Sequence, residues 1–87
     1  MKTMIIRIKS VKPLDNYILR GEFDDNRCVM YDMNEDIKTL PEYDNLKHIS
    51  GLWEQAKLDE SRTCVYWNDM IDLPSDILYE YGKELIV

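Results

Sequence analysis

An α+β fold, with a small antiparallel sheet and helices packed on one side of it, is what this chain of 87 residues predicts. Three observations carry that reading. The first third holds short runs alternating apolar and polar residues around an Asp-Asp-Asn turn signal, as a β-hairpin requires. A second pair of short runs follows residue 55. Between and after these pairs, apolar residues recur at helical intervals instead. The expected order is β-β-β-α-β-β-α, and hairpins flanked by helices form a two-layer domain. At this length the expectation is a single domain, 1–87, with one modest core and no deep cleft.

The first strand is expected over "MIIRIKSV" (4–11), with Met4, Ile6 and Ile8 on one face and Arg7 and Lys9 on the other. Pro13 should end it, because proline cannot donate to a ladder. "NYILRGEF" (16–23) alternates again, placing Tyr17, Leu19, Gly21 and Phe23 together. "RCVMYDM" (27–33) is the returning strand. Loop length then selects its buried face. A two-residue turn would align Cys28, Met30 and Asp32 with the apolar side and bury a carboxylate, which is costly. A three-residue loop, 24–26, aligns Val29, Tyr31 and Met33 instead and puts Asn26 in the left-handed position that asparagine tolerates.

Residues 33–55 are less regular. Asn34 is placed to cap a turn carrying Ile37, and Pro41 breaks what precedes it. Tyr43, Leu46, Ile49 and Trp53 then fall at helical spacing, as one helix or two split near Gly51. "AKLD" (56–59) and "TCVYW" (63–67) read as a hairpin across Glu60-Ser61-Arg62, with Val65 and Trp67 on one face. Pro74 suits the first turn of a last helix, Ile77, Leu78 and Tyr81 form its stripe, and Gly82 ends it.

Charge and cysteine content narrow the function. Residues 1–27 hold six basic and four acidic side chains, residues 28–87 five and thirteen, and the whole chain carries a net charge of −6. Phosphate backbones need clustered Lys and Arg, so direct nucleic-acid binding is not expected and a basic protein is the better-matched partner. Cys28 and Cys64 lie 36 residues apart without a CxxC, which suits two reduced thiols in a cytoplasmic protein. The opening apolar run is too short for a signal peptide or a membrane span.

The motifs now in view resemble a bacterial family, domain of unknown function 2442. "VKPLDNYILRGEF", an Asp-rich turn, "YDM" and the closing "VYWNDMIDLPSDILYEYG" carry the resemblance over about residues 8–82. Trp67, Asp72, Leu73, Asp76, Leu78 and Tyr79 match the family's terminal signature in order and spacing. Asn26 stands where the family usually has glycine, the helical stretch is about one residue longer, and 83–87 form a short apolar tail beyond the usual end. The resemblance implies a small cytoplasmic α+β domain, standing alone or joined to a helix-turn-helix domain. It also implies an antitoxin role, since such genes often adjoin a small toxin-like gene. It implies no activity or cofactor.

Asp32-x-Asn34-x-Asp36 opens like a calcium loop, but Ile37 occupies the position that needs glycine and Tyr43 the one that needs glutamate. His48 is the single histidine and has no nucleophile at a recognisable motif beside it. No enzyme, metal or cofactor is expected. Trp67, Asp69, Asp72, Asp76 and Tyr79 remain as an acidic-aromatic patch for a partner, because aromatics with a few placed charges make interface hot spots. Three of them also have a folding role: Trp67 at a strand end, Asp72 capping the last helix, Asp76 at its positive start. The expected function is an acidic, antitoxin-like or regulatory protein-binding module that neutralises a basic partner. A small-ligand or DNA-linked regulatory domain is the alternative. The apolar tail suggests homodimerisation by edge pairing.

Overall fold

The computed structural model describes residues 5–85, and the class is α+β as expected, but the strands divide into two sheets. The first sheet has four antiparallel strands in the order β1-β2-β3-β7: β1 (Ile8–Leu14), β2 (Ile18–Phe23), β3 (Cys28–Asp32) and β7 (Lys83–Glu84). The second has three: β4 (Lys57–Leu58), β5 (Cys64–Asn68) and β6 (Ile71–Pro74). Two short helices, α1 (Asn34–Thr39) and α2 (Asn45–His48), lie between the sheets in sequence, and α3 (Ser75–Tyr81) joins β6 to β7.

The β2–β3 hairpin follows the three-residue loop. Gly21 pairs with Val29 and Leu19 with Tyr31, while Asn26 takes a φ of 72°. Asp32 accordingly stays exposed, and Val29 and Met33 are buried. The first strand departs from expectation. It starts at Ile8, and Pro13 lies inside it, paired with Leu19. β1 is an edge strand, where a proline without an N–H leaves no neighbour unpaired. Met4 lies outside the described residues. Asn16 and Tyr17 are not strand: with φ of 63° and 59° they make the tight turn between β1 and β2.

Several further expectations are corrected. Asn34 does not cap α1; the Asp32 carboxylate accepts from the Asn34 N–H at 2.9 Å and from its side-chain amide at 2.8 Å. Tyr43, Leu46 and Trp53 are buried, whereas Ile49 is exposed and Leu52 takes its place, because a turn with Gly51 at φ 82° breaks the helical spacing. Pro74 ends β6 and precedes α3 with an extended ψ of 148°. Asp72 therefore lies in a strand and cannot cap the helix. Tyr81 is exposed, since a helix of seven residues turns only part of its face inward, and Leu78 is its fully buried residue.

The core joins both sheets. Leu19, Phe23 and Val29 from the first meet Val65, Trp67, Ile71 and Leu73 from the second, with Ile37, Leu46, Leu52, Trp53 and Leu78 between. α3 lies against Gly21 and Gly82, where added Cβ atoms would come within 2.8 Å of the Leu78 side chain and 2.5 Å of the Leu78 carbonyl. Gly82 has an ordinary φ of −69°, so close packing rather than a left-handed cap requires it. The sheets are also stapled at the surface. Ile8 N–H donates to the Arg62 carbonyl at 2.7 Å, and the Arg62 guanidinium grips Asp24 through two bonds of 2.8 and 2.9 Å.

Candidate partner-binding site

The β5–β6–α3 segment carries the five residues singled out above, and the structure separates them into three groups. Trp67 alternates onto the inner face of β5 with Val65 and is only 3% exposed. Its ring stacks on Trp53 at 5.7 Å and 20°, and its Nε1–H donates to the Trp53 carbonyl at 3.1 Å. Trp53 in turn meets Tyr17 edge-on at 5.3 Å and donates its Nε1–H to the Leu14 carbonyl at 2.9 Å. Burying an indole needs a partner for its N–H, and this ladder supplies both. Trp67 is thus a core residue and presents no surface to a partner.

Tyr79 belongs to a second group. α3 directs its phenol at the β2–β3 loop, where the hydroxyl donates to Asp25 Oδ2 at 2.7 Å. The ring stands edge-on to Phe23 at 4.9 Å and lies under the Arg27 guanidinium at 4.8 Å. Arg27 also binds Glu84 at 2.7 Å, which ties β7 to the same clasp. The hydrogen bond from Tyr79 holds the Asp25 carboxyl below its usual range and, reciprocally, raises the phenol. Beside this clasp runs a groove of about 230 Å³ along Ile6, Arg7, Phe23, Asp25 and Tyr79. No periodicity in the sequence marks it, because it forms where the chain start, a turn and a helix meet.

Asp69, Asp72 and Asp76 make the third group, and all three are exposed. The β5–β6 turn that holds Asp69 is braced by the Asn68 side-chain oxygen accepting from Met70 N–H at 2.8 Å, and Met70 itself is 83% exposed. Asp72 lies on the outer face of β6 opposite Tyr66. Asp76 stands in the first turn of α3, where its Oδ1 accepts from the Ile77 N–H at 3.0 Å, a favourable place for negative charge. None of the three carboxylates has a cation within 4.0 Å among the described residues.

The family model described as "Protein of unknown function (DUF2442)" matches residues 8–84. The chain belongs to this family. No curated protein and no solved structure matches it. The DUF2442 match runs from the first residue of β1 to the last of β7, so it takes in part of the segment expected to lie outside as a tail. Ile86 and Val87, the end of that tail, lie outside the described residues.

Around the DUF2442 signature, Asp72 also has a backbone role: its carbonyl accepts from the Tyr43 hydroxyl at 2.7 Å. Burial, with the Asp36 carboxylate next, pushes the Tyr43 phenol up to about 12. Burial likewise raises Tyr31, whose hydroxyl donates to Asp36. Cys64 is raised too, by burial and then by the Asp72 charge, which leaves it a poor nucleophile. Both cysteines are free thiols. His48 is exposed on α2 beside Asp44 at 3.2 Å. Among the described residues no three metal-binding side chains converge, and no helix is long and apolar enough to cross a membrane.

The raised phenols make an alkaline prediction. A tyrosine held neutral in the fold but free to ionise near 10 when unfolded contributes stability below 10 that is lost as pH rises through the folded value. Stability should therefore begin to fall near pH 10 and continue towards 12, through Tyr31 and Tyr43. Urea titrations across that range should show a shallower fall for Tyr43→Phe. An unchanged slope would remove Tyr43 from the effect.

Proposed function

We propose that this protein is a non-enzymatic binding module of the bacterial cytoplasm that neutralises or regulates a basic partner protein, in the manner of an antitoxin. The observation that carries this reading is the run Asp69–Asp76. Three exposed carboxylates there have no cation within 4.0 Å among the described residues, on a braced turn, a strand and a helix start, next to the exposed Met70. Rigidly held charges flanking an apolar side chain lose little entropy on binding and steer an oppositely charged partner. The acidic balance of residues 28–87 and the toxin-like gene neighbours implied by the family resemblance support the same reading. Of the patch expected from sequence, Asp69, Asp72 and Asp76 form the contact, Tyr79 holds the fold behind it, and Trp67 is omitted.

The test is co-purification of the tagged full chain from its native lysate at near-physiological salt. A stoichiometric basic protein released at high salt is expected, and Asp69→Ala/Asp72→Ala/Asp76→Ala should weaken its retention at least about tenfold. Recovery of the chain without a partner, or equal retention by the triple variant, would overturn the assignment. The groove beside Tyr79 favours a second reading, a small-ligand domain. A thermal-shift screen that raises the midpoint of wild type but not of Tyr79→Phe would support it.

A further inference from the structure

The outer face of the four-stranded sheet has a charge order that no local pattern in the sequence announces. Strand register places Lys12, Arg20, Met30 and Lys83 in one row across β1, β2, β3 and β7. With strands about 4.8 Å apart, the row runs roughly 15 Å across the sheet. Leu14 and Ile18 occupy the row on one side, Ser10, Glu22 and Cys28 the row on the other. Leu14, Ile18 and Met30 are half-buried, yet none belongs to the core or packs against it. The face is therefore an open, partly apolar surface.

Its cations outnumber its acids, with Lys12, Arg20 and Lys83 against Glu22 and Asp32. Glu22 receives Lys9 at 4.0 Å and the Ser10 hydroxyl at 3.4 Å. Asp32, at the end of the Leu14–Ile18 row, is occupied by Asn34. Lys12, Arg20 and Lys83 have no carboxylate within 4.0 Å among the described residues. The Arg20 guanidinium donates to the Cys28 sulfur at 3.8 Å.

We infer that this face docks a second copy of the same chain, through the carboxylates Asp69, Asp72 and Asp76 and the exposed Met70 of the partner copy. The chemistry of both sides is present in one molecule: three cations with aliphatic neighbours on one sheet, and at the second sheet and the start of α3 three exposed carboxylates with a methionine, unpaired among the described residues. Nucleic acid fits the face less well. It has no aromatic residue on which bases could stack, and a chain of net charge −6 repels a polyanion at long range. The contact joins unlike patches, so it either occurs twice about a twofold axis or repeats head to tail. It needs no foreign partner, and because it uses the same carboxylates as the function proposed above, a second copy and a basic partner would compete for that patch.

The test is analytical ultracentrifugation of the purified full chain in about 0.15 M and then about 1 M NaCl, where the screening length falls from ~8 to ~3 Å. A mass above one chain at the lower salt and of one chain at the higher is expected. Lys12→Glu/Lys83→Glu, both at exposed positions, should weaken association at least about tenfold with an unchanged circular dichroism spectrum. Asp69→Lys/Asp76→Lys should do the same, and mixing the two variants should restore it. A single-chain mass at both salts would overturn the inference. So would association indifferent to both variants, as main-chain edge pairing would give, or failure of the mixture to reassociate. Binding of single-stranded DNA by a chain that stays monomeric would reassign the face.

Discussion

Trp67→Ala is expected to leave the domain barely folded. Truncating a buried Trp costs about 3–5 kcal/mol through lost transfer energy and the cavity that remains. Here the loss also removes a ring stacked at 5.7 Å on Trp53 and leaves the Trp53 carbonyl without its donor. A domain of this length has roughly 5–10 kcal/mol in total, so at least about a third of its stability goes. Thermal unfolding should drop by more than about 12 °C. Trp67→Phe keeps a stackable ring and should lose clearly less. Urea denaturation of the pair decides the matter: an alanine variant within about 1 kcal/mol of wild type would mean that the ladder Tyr17–Trp53–Trp67 does not join the sheets.

Gly82→Ala should be the most damaging single-methyl change in the chain. The new Cβ would stand 2.5 Å from the Leu78 carbonyl and 2.7 Å from Val29 Cβ, neither of which can swing aside as a long side chain would. Overpacking of this kind costs about 1–3 kcal/mol, occasionally more, and relief requires moving the α3–β7 junction away from β3. Gly51 is the control. It needs its positive φ of 82° but has nothing within 4 Å of an added Cβ. Gly51→Ala should therefore cost only the backbone strain, about 1 kcal/mol. Equal midpoints for the two variants in a urea titration would show that contact with Val29 and Leu78 is not what holds Gly82.

Local rules were enough for the β2–β3 hairpin. The penalty for burying Asp32 and the tolerance of Asn26 for a left-handed φ together selected the register that pairs Gly21 with Val29. Pro13 and Pro74 misled for one reason: proline marks a boundary only where its missing N–H matters. On the edge strand β1 it does not, and Pro74 serves as the last residue of a strand rather than the first turn of a helix. The strand β6 itself was missed, because "IDLP" is too short to show alternation and gains its identity from pairing with β5. β7 is two residues long for the same reason and exists only through Val29 and Met30.

The candidate site divides along the same line. Its residue types were legible, and the exposed Asp69, Asp72 and Asp76 lie as a carboxylate-rich segment should. Which aromatics accompany them was not. Trp67 and Tyr79 have equal claims in sequence, yet one enters the core and the other clasps Asp25, 54 residues away. By itself, then, the sequence determined the α+β class, the family, the hairpin register and the acidic character of residues 28–87. Only the tertiary structure decided that the strands form two sheets, that Lys12, Arg20 and Lys83 align in one row, and that Trp67 has no exposed face. The physical reason is range. Turn chemistry, periodicity and charge act between near neighbours in the chain, whereas burial and cross-strand adjacency depend on which distant segments come to share a core.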